Sequence, residues 1–239
     1  MSADPASTRT MRLTPELVAL VERLVEDEGY PSGVTVFSEQ DYDDHLDEFL
    51  ARAPRDGIDV FAYGSLIWNP CFDHALVRRA VTYGLRRQFC MRITRFRGSR
   101  AQPGRMMALD DGGECHGLLY RLKAGVEREE LRRLWRREMT RKPATNMPVW
   151  IDVETADGRR PAVAFRVDPK SDVYAPELSA DDTADILSRA VGHWGSGALY
   201  LRETVAALEA AGIHDPHLWQ LQELVADKIA SRFGVVLAR

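Results

Sequence analysis

Leu131, Leu134 and Trp135 lie seven, four and three residues before Glu138, so a helix through this segment carries all four on one face. A carboxylate thus stands where an apolar residue is expected. Burial raises a carboxylate's pKa, and the partial negative charge at a helix C-terminus pushes in the same direction. A carboxyl group tuned in this way is suited to accept a proton and return it, the work of a general base. Neighbouring Arg137 offers the alternative, an ion pair at the helix edge with no chemistry attached.

A second feature is Phe61-Ala62-Tyr63-Gly64-Ser65-Leu66, where an apolar strand runs directly into glycine and serine. Backbone N–H groups exposed at such a strand end bind carboxylates or oxyanions, whereas the plain alternative is a strand closing in a turn. Ser65 does not read as a hydrolase nucleophile, because the nucleophile elbow has glycine two residues away on both sides and this segment does not. A third feature is the run Arg92, Arg95, Arg97, Arg100 and Arg105, interrupted by Gly98 and by Gln102-Pro103-Gly104. Arginine grips carboxylates bidentately, although a solvated strand face and loop account for most of such a run. No Walker pattern accompanies it. Metal chemistry finds little support: His214-Asp215-Pro216-His217 lacks a third ligand at a meaningful spacing, and Cys71-Phe72-Asp73-His74 is isolated. Cys90, within an apolar stretch, reads as packing.

These residues need a scaffold, and the composition allows a large one. Of 239 residues, 45% are hydrophobic and 28% charged, enough for one large domain or a domain with a small appendage. A net charge of −4 argues against a general nucleic-acid binder, which needs a basic excess to neutralise phosphates. Cys71, Cys90 and Cys115 form no disulfide framework and favour a reducing compartment. Residues 1–12 carry no apolar run of the kind a secretory signal needs, and no stretch is long and apolar enough to span a bilayer. A soluble, cytoplasmic protein is expected.

Thr14-Pro15-Glu16 reads as the capped start of a helix carrying Leu17, Leu20, Val21, Leu24 and Val25, stopped by Gly29. Ser38 and Asp41 form a capping box for a second helix with Leu46, Phe49 and Leu50. Residues 1–56 are therefore an N-terminal helical extension, and 57–239 the main domain. Strands are predicted at 58–62 and near 79–95, 105–110 and 114–121, with Asp110-Asp111-Gly112-Gly113 turning a hairpin between the last two. A charged amphipathic helix follows at about 127–140. Strands near 148–155 and 161–167 flank Asp157-Gly158, and helices near 180–191, 197–211 and 215–233 close the chain. This order is α+β, without the regular alternation of a doubly wound sheet.

Taken together, the motifs resemble the ChaC-like γ-glutamylcyclotransferase family over about 58–233. Val60 to Pro70 is similar to the family's first strand and binding loop, and Arg97-Gly98 with Gln102-Pro103-Gly104-Arg105 to its second signature segment. Leu134-Trp135-Arg136-Arg137-Glu138-Met139 matches the helix bearing the family's catalytic glutamate, while Tyr200-Leu201 and Ala211 to Asp215 are similar to its C-terminal pattern. The resemblance implies a small closed β-barrel with surrounding helices. It also implies a cofactor-free, metal-free lyase reaction in which the substrate's α-amine attacks its own γ-carbonyl, giving 5-oxoproline and, from glutathione, cysteinylglycine. Glu138 would move the protons. Tyr63, Gly64, Ser65 and Leu66 would hold the γ-glutamyl end, with Arg105 supporting substrate carboxylates. The expected partner is that small-molecule substrate.

Two departures bear on substrate fit: Thr140 to Met147 lacks the tyrosine often found there in the family, and Gly197 replaces an asparagine near Tyr200. Cyclisation of other γ-glutamyl amines or peptides is therefore an alternative, and a non-catalytic regulatory module linked to cation transport is another. Retention of Glu138 and of the binding-loop motif weighs against the last.

Overall fold

The computed structural model describes residues 9–175 and 177–237. Its centre is a closed barrel of β1 (Asp59–Ala62), β2 (His74–Ile93), β3 (Gly104–Leu122), β4 (Asn146–Thr155) and β5 (Gly158–Val167), in the order β1-β3-β2-β4-β5. A parallel pairing of Val60 with Val163 joins the two ends of that order, so β1 has a neighbour on both sides. Its apolar residues are accordingly buried without alternation. The α+β barrel expected from the resemblance is what forms.

The predicted hairpin at Asp110 to Gly113 does not. β3 runs unbroken from Gly104 to Leu122 against an equally long β2. The register moves from Leu85↔Asp111 to Tyr83↔Glu114, so the two glycines are absorbed as a bulge opposite Gly84. Gly84, Gly112 and Gly113 all have positive φ, which glycine adopts at no steric cost. The turn chemistry was present, but β2 pairs on both sides of it and the chain has no reason to reverse.

Helices surround the barrel: α1 (Pro15–Val21), α2 (Glu39–Leu50), α3 (Glu127–Glu138), α4 (Ala180–Leu187), α5 (Gly197–Ala210) and α6 (Pro216–Phe233). A short hairpin of β6 (Val191–Gly192) and β7 (Gly195–Ser196) connects α4 to α5. Ser38 caps α2 as expected, its hydroxyl accepting from Asp41 N–H at 3.2 Å while its own N–H donates to the Asp41 carboxylate at 2.7 Å. α1 is shorter than its periodicity implied, because Glu22 leaves helical geometry and its carboxylate accepts from Ser196 N–H at 2.9 Å. Leu24 is left 97% exposed.

Leu13, Leu17, Leu46 and Phe49 from the N-terminal segment enter the same hydrophobic cluster as Trp135 of α3 and Val225 of α6. Each such side chain contributes roughly 1.5–3 kcal/mol on burial. Within the N-terminal segment α2 thus packs on α3, the helix that ends on Glu138, while α1 packs against α5 and α6.

Candidate active site

At the end of β1 the chain passes through Tyr63 and Gly64 into a single 3-10 turn, Ser65–Ile67. Tyr63 anchors this junction: its hydroxyl donates to Phe165 O at 2.9 Å, and its carbonyl accepts from Arg87 Nη1 at 2.7 Å. Arg87 is in turn paired with Asp215 at 2.9 Å, whose carboxylate also caps α6 by accepting from Leu218 N–H. Gly64 is required by close approach, since a Cβ there would lie 2.9 Å from the Tyr200 hydroxyl. The turn's own hydrogen bonding starts with Ile67 N–H to Gly64 O, so the Ser65 and Leu66 amides precede it. The Leu66 side chain is buried in the core, and Ser65 Oγ accepts from Arg137 Nη2 at 3.0 Å.

Glu138 closes α3 on the face that buries Leu131, Leu134 and Trp135 completely. Its side chain retains 18% exposure, where it meets the cavity. Oε2 accepts from Asn146 Nδ2 at 2.9 Å, while Oε1 lies 3.5 Å from Arg137 Nε. Burial pushes the carboxyl above its ordinary pKa, opposed by the Arg137 charge and the Asn146 hydrogen bond. The ion pair with Arg137 and the raised pKa therefore coexist. Asn146 Oδ1 is buried and has no partner among the described residues.

Ser65, Trp68, Arg97 and Tyr200 share with Glu138 a cavity of about 940 Å³. Tyr200, on α5, is 2% exposed and lies edge-on to Trp68 and Phe89; burial pushes its pKa up to about 12. Arg97 is 7% exposed, sits over the Tyr200 and Trp68 rings at 5.4 and 5.7 Å, and donates to Ser196 O at 3.2 Å. Among the described residues no carboxylate lies within ion-pair distance of it, and desolvation lowers its pKa. Its backbone is fixed by tight packing: a Cβ on Gly98 would come 2.4 Å from Gly104 N, and one on Gly104 would come 2.6 Å from Arg97 O. That contact is the physical reason the two glycines of the second signature segment belong together.

Of the residues singled out in the sequence, Glu138 and Ser65 line the cavity, while Tyr63, Gly64 and Leu66 lie outside its lining and anchor the turn that carries Ser65. Arg105 differs: it is buried and donates to Phe89 O at 3.0 Å, outside the cavity lining. Arg97 and Arg137 are among the arginines that do line the cavity. Gly197 also lies off the cavity, packed against Leu187, whereas Thr140, Arg141, Thr145 and Asn146 of the loop after α3 line it. Sequence reasoning had Arg97 within its arginine run but no means to rank it, and nothing in local pattern signals Asn146.

Residues 58–228 match the model of the ChaC-like protein family. A glutathione-specific γ-glutamylcyclotransferase of Escherichia coli (strain K12) is 36% identical over 186 residues, covering 77% of this chain and 80% of that protein. Glutathione-specific γ-glutamylcyclotransferase 1 of Rattus norvegicus is 28% identical, covering 72% of this chain and 78% of the rat protein. In fold, the crystal structure of the γ-glutamyl cyclotransferase specific to glutathione from yeast superposes with a TM-score of 0.63 at 20% identity, covering 72% of this chain and 96% of that one.

Proposed function

Because this chain belongs to the ChaC-like family, we propose that it is a glutathione-specific γ-glutamylcyclotransferase, converting glutathione to 5-oxoproline and cysteinylglycine. The observation that carries this reading is a buried carboxylate with raised pKa, Glu138, sharing one cavity with a buried guanidinium, Arg97, that has no carboxylate partner among the described residues. Relatives in E. coli and rat are glutathione-specific γ-glutamylcyclotransferases, which supports the same substrate here.

The reaction asks the protein for no nucleophile. The substrate's α-nitrogen bonds to its own γ-carbon, closing a five-membered ring, and the bond from that carbon to the cysteinyl nitrogen breaks. Holding the γ-glutamyl group folded on itself supplies the proximity. Glu138 takes the proton that the α-ammonium must lose before it can attack, and gives one to the departing nitrogen. Asn146 orients Glu138 through Nδ2 and offers its unpartnered Oδ1 to the α-amine. Arg97 receives a substrate carboxylate. The backbone from Tyr63 to Leu66 holds the γ-glutamyl end, where amide donors offset developing negative charge on the γ-oxygen. Arg105 supports the site indirectly, through Phe89, which packs on Tyr200.

The extension at 1–56 and the domain at 57–239 act as one catalytic unit in this reading. The three free cysteines suit a cytoplasmic setting, and among the described residues no helix is long and apolar enough to cross a membrane. The test is incubation of the purified protein with glutathione and detection of both products. Folded protein that yields neither overturns the assignment.

A further inference from the structure

Between α1 and α2 the chain crosses the cavity without forming a helix, and it is fastened at several points. Glu22 holds Ser196 N–H at the end of the β6–β7 hairpin. The Asp27 carboxylate accepts from Arg95 Nε and Nη2 at 2.7 and 2.6 Å, on the loop after β2. Tyr30 donates from its hydroxyl to Thr140 Oγ1 at 2.5 Å, and Thr35 O accepts from Lys142 N–H at 2.8 Å, both on the loop after α3. Arg95 lies over the Tyr30 ring at 4.4 Å. Gly29, Tyr30 and Pro31 consequently form part of the cavity wall. All of these strap residues precede residue 58, where the family match begins.

The position of Tyr30 relative to the chemistry gives this wall a role. The γ-glutamyl end is taken up by Glu138, Arg97 and Ser65. Glu138 must also reach the departing nitrogen, so the leaving part extends from the Glu138 side of the cavity. Thr140, which Tyr30 bonds, is two residues beyond Glu138, and Tyr30 and Thr140 both line the cavity. A ring held both by a hydroxyl bond and by a guanidinium on its face loses little freedom when a ligand packs against it.

We propose that Tyr30 is a specificity-determining residue: its ring contacts the part of the substrate beyond the scissile γ-amide bond and sets a preference for a dipeptide leaving group over a single amino acid. This rests on the cyclotransferase reading above, and it assigns a function to the segment outside the family match. A merely structural role for Tyr30 would lower stability without changing substrate choice. A contact role moves KM and leaves the chemical step alone.

The experiment compares full-length wild type, Tyr30→Ala and Tyr30→Phe on glutathione and on γ-glutamylcysteine, which lacks the terminal glycine, with circular dichroism and thermal melting as fold controls. Tyr30→Ala is expected to raise KM for glutathione about tenfold, keep kcat within about twofold, and shrink the preference for glutathione over γ-glutamylcysteine by about the same tenfold. Tyr30→Phe, which keeps the ring, is expected to retain most of that preference. Tyr30→Leu, retaining apolar bulk but not the ring, carries the expectation of the alanine variant if that protein does not fold. Unchanged KM and unchanged preference in a folded variant, or a fall in kcat alone, overturns the proposal while leaving the cyclotransferase reading intact. A folded wild type that cyclises neither compound overturns both.

Discussion

The two ends of strand β1 each bury a carboxylate, and they treat it differently. At the start, Asp59 is 2% exposed and enclosed by two guanidinium groups, with Arg121 Nε and Nη2 both at 2.7 Å and Arg160 Nε at 2.9 Å. Past the other end, Glu138 has one guanidinium nitrogen at 3.5 Å and one amide donor at 2.9 Å. Asp59 has its acceptor capacity largely used by charge-assisted bonds, which fasten β1 to Arg121 of β3 and Arg160 of β5. Glu138 is desolvated without equivalent compensation, and the shortfall appears as a raised pKa. The two carboxylates, one 2% and the other 18% exposed, differ above all in how many donors the fold supplies to each.

That contrast can be broken at either end. Glu138→Gln is expected to abolish measurable turnover of glutathione, a loss of about a thousandfold or more, with circular dichroism unchanged. An active glutamine variant removes Glu138 from the mechanism. Arg97→Ala should lower kcat/KM about a hundredfold, chiefly through KM, as read by steady-state kinetics. Asp59→Asn should give the reverse signature: stability falls by about 3 kcal/mol in urea unfolding, because two cations lose their shared anion, while kcat per folded molecule stays near wild type.

The smallest effect concerns pH, and its sign follows from the direction of the Glu138 shift. A carboxyl whose pKa is raised by folding contributes stability below its unfolded value and loses that contribution as pH rises through the folded value. Glu138→Gln should therefore melt higher relative to wild type near about pH 8 than near about pH 4. Equal differences at both pH values would mean that Glu138 is not held in the ionisation-resistant setting that its burial creates. In turnover, the acid limb of kcat/KM should lie above the ordinary glutamate range for the same reason.

Much of this architecture was legible in the chain. The α2 capping box, the short apolar β1, the turn at Asp157-Gly158 and the apolar face ending on Glu138 each depend on interactions within a few residues, and each forms. Misreadings arose where a local signal met a distant partner. The Asp110 to Gly113 turn became a bulge because β2 pairs on both sides of it, and α1 stopped early because Glu22 bonds to a hairpin far along the chain. Arg105 carried the motif but turned to Phe89 O, while Arg97, from the same run, became the buried cavity guanidinium.

Sequence by itself determined which residues carry acid, base and apolar character, and the helical period that sets Glu138 among Leu131, Leu134 and Trp135. Only tertiary structure decided that Asn146 orients that carboxylate and that Tyr30, 110 residues before Thr140 in the chain, stands beside it. Periodicity reports on neighbours within a turn or a strand. Compensation of a buried charge is a sum over every donor that the completed fold brings within reach, and no local pattern contains that sum.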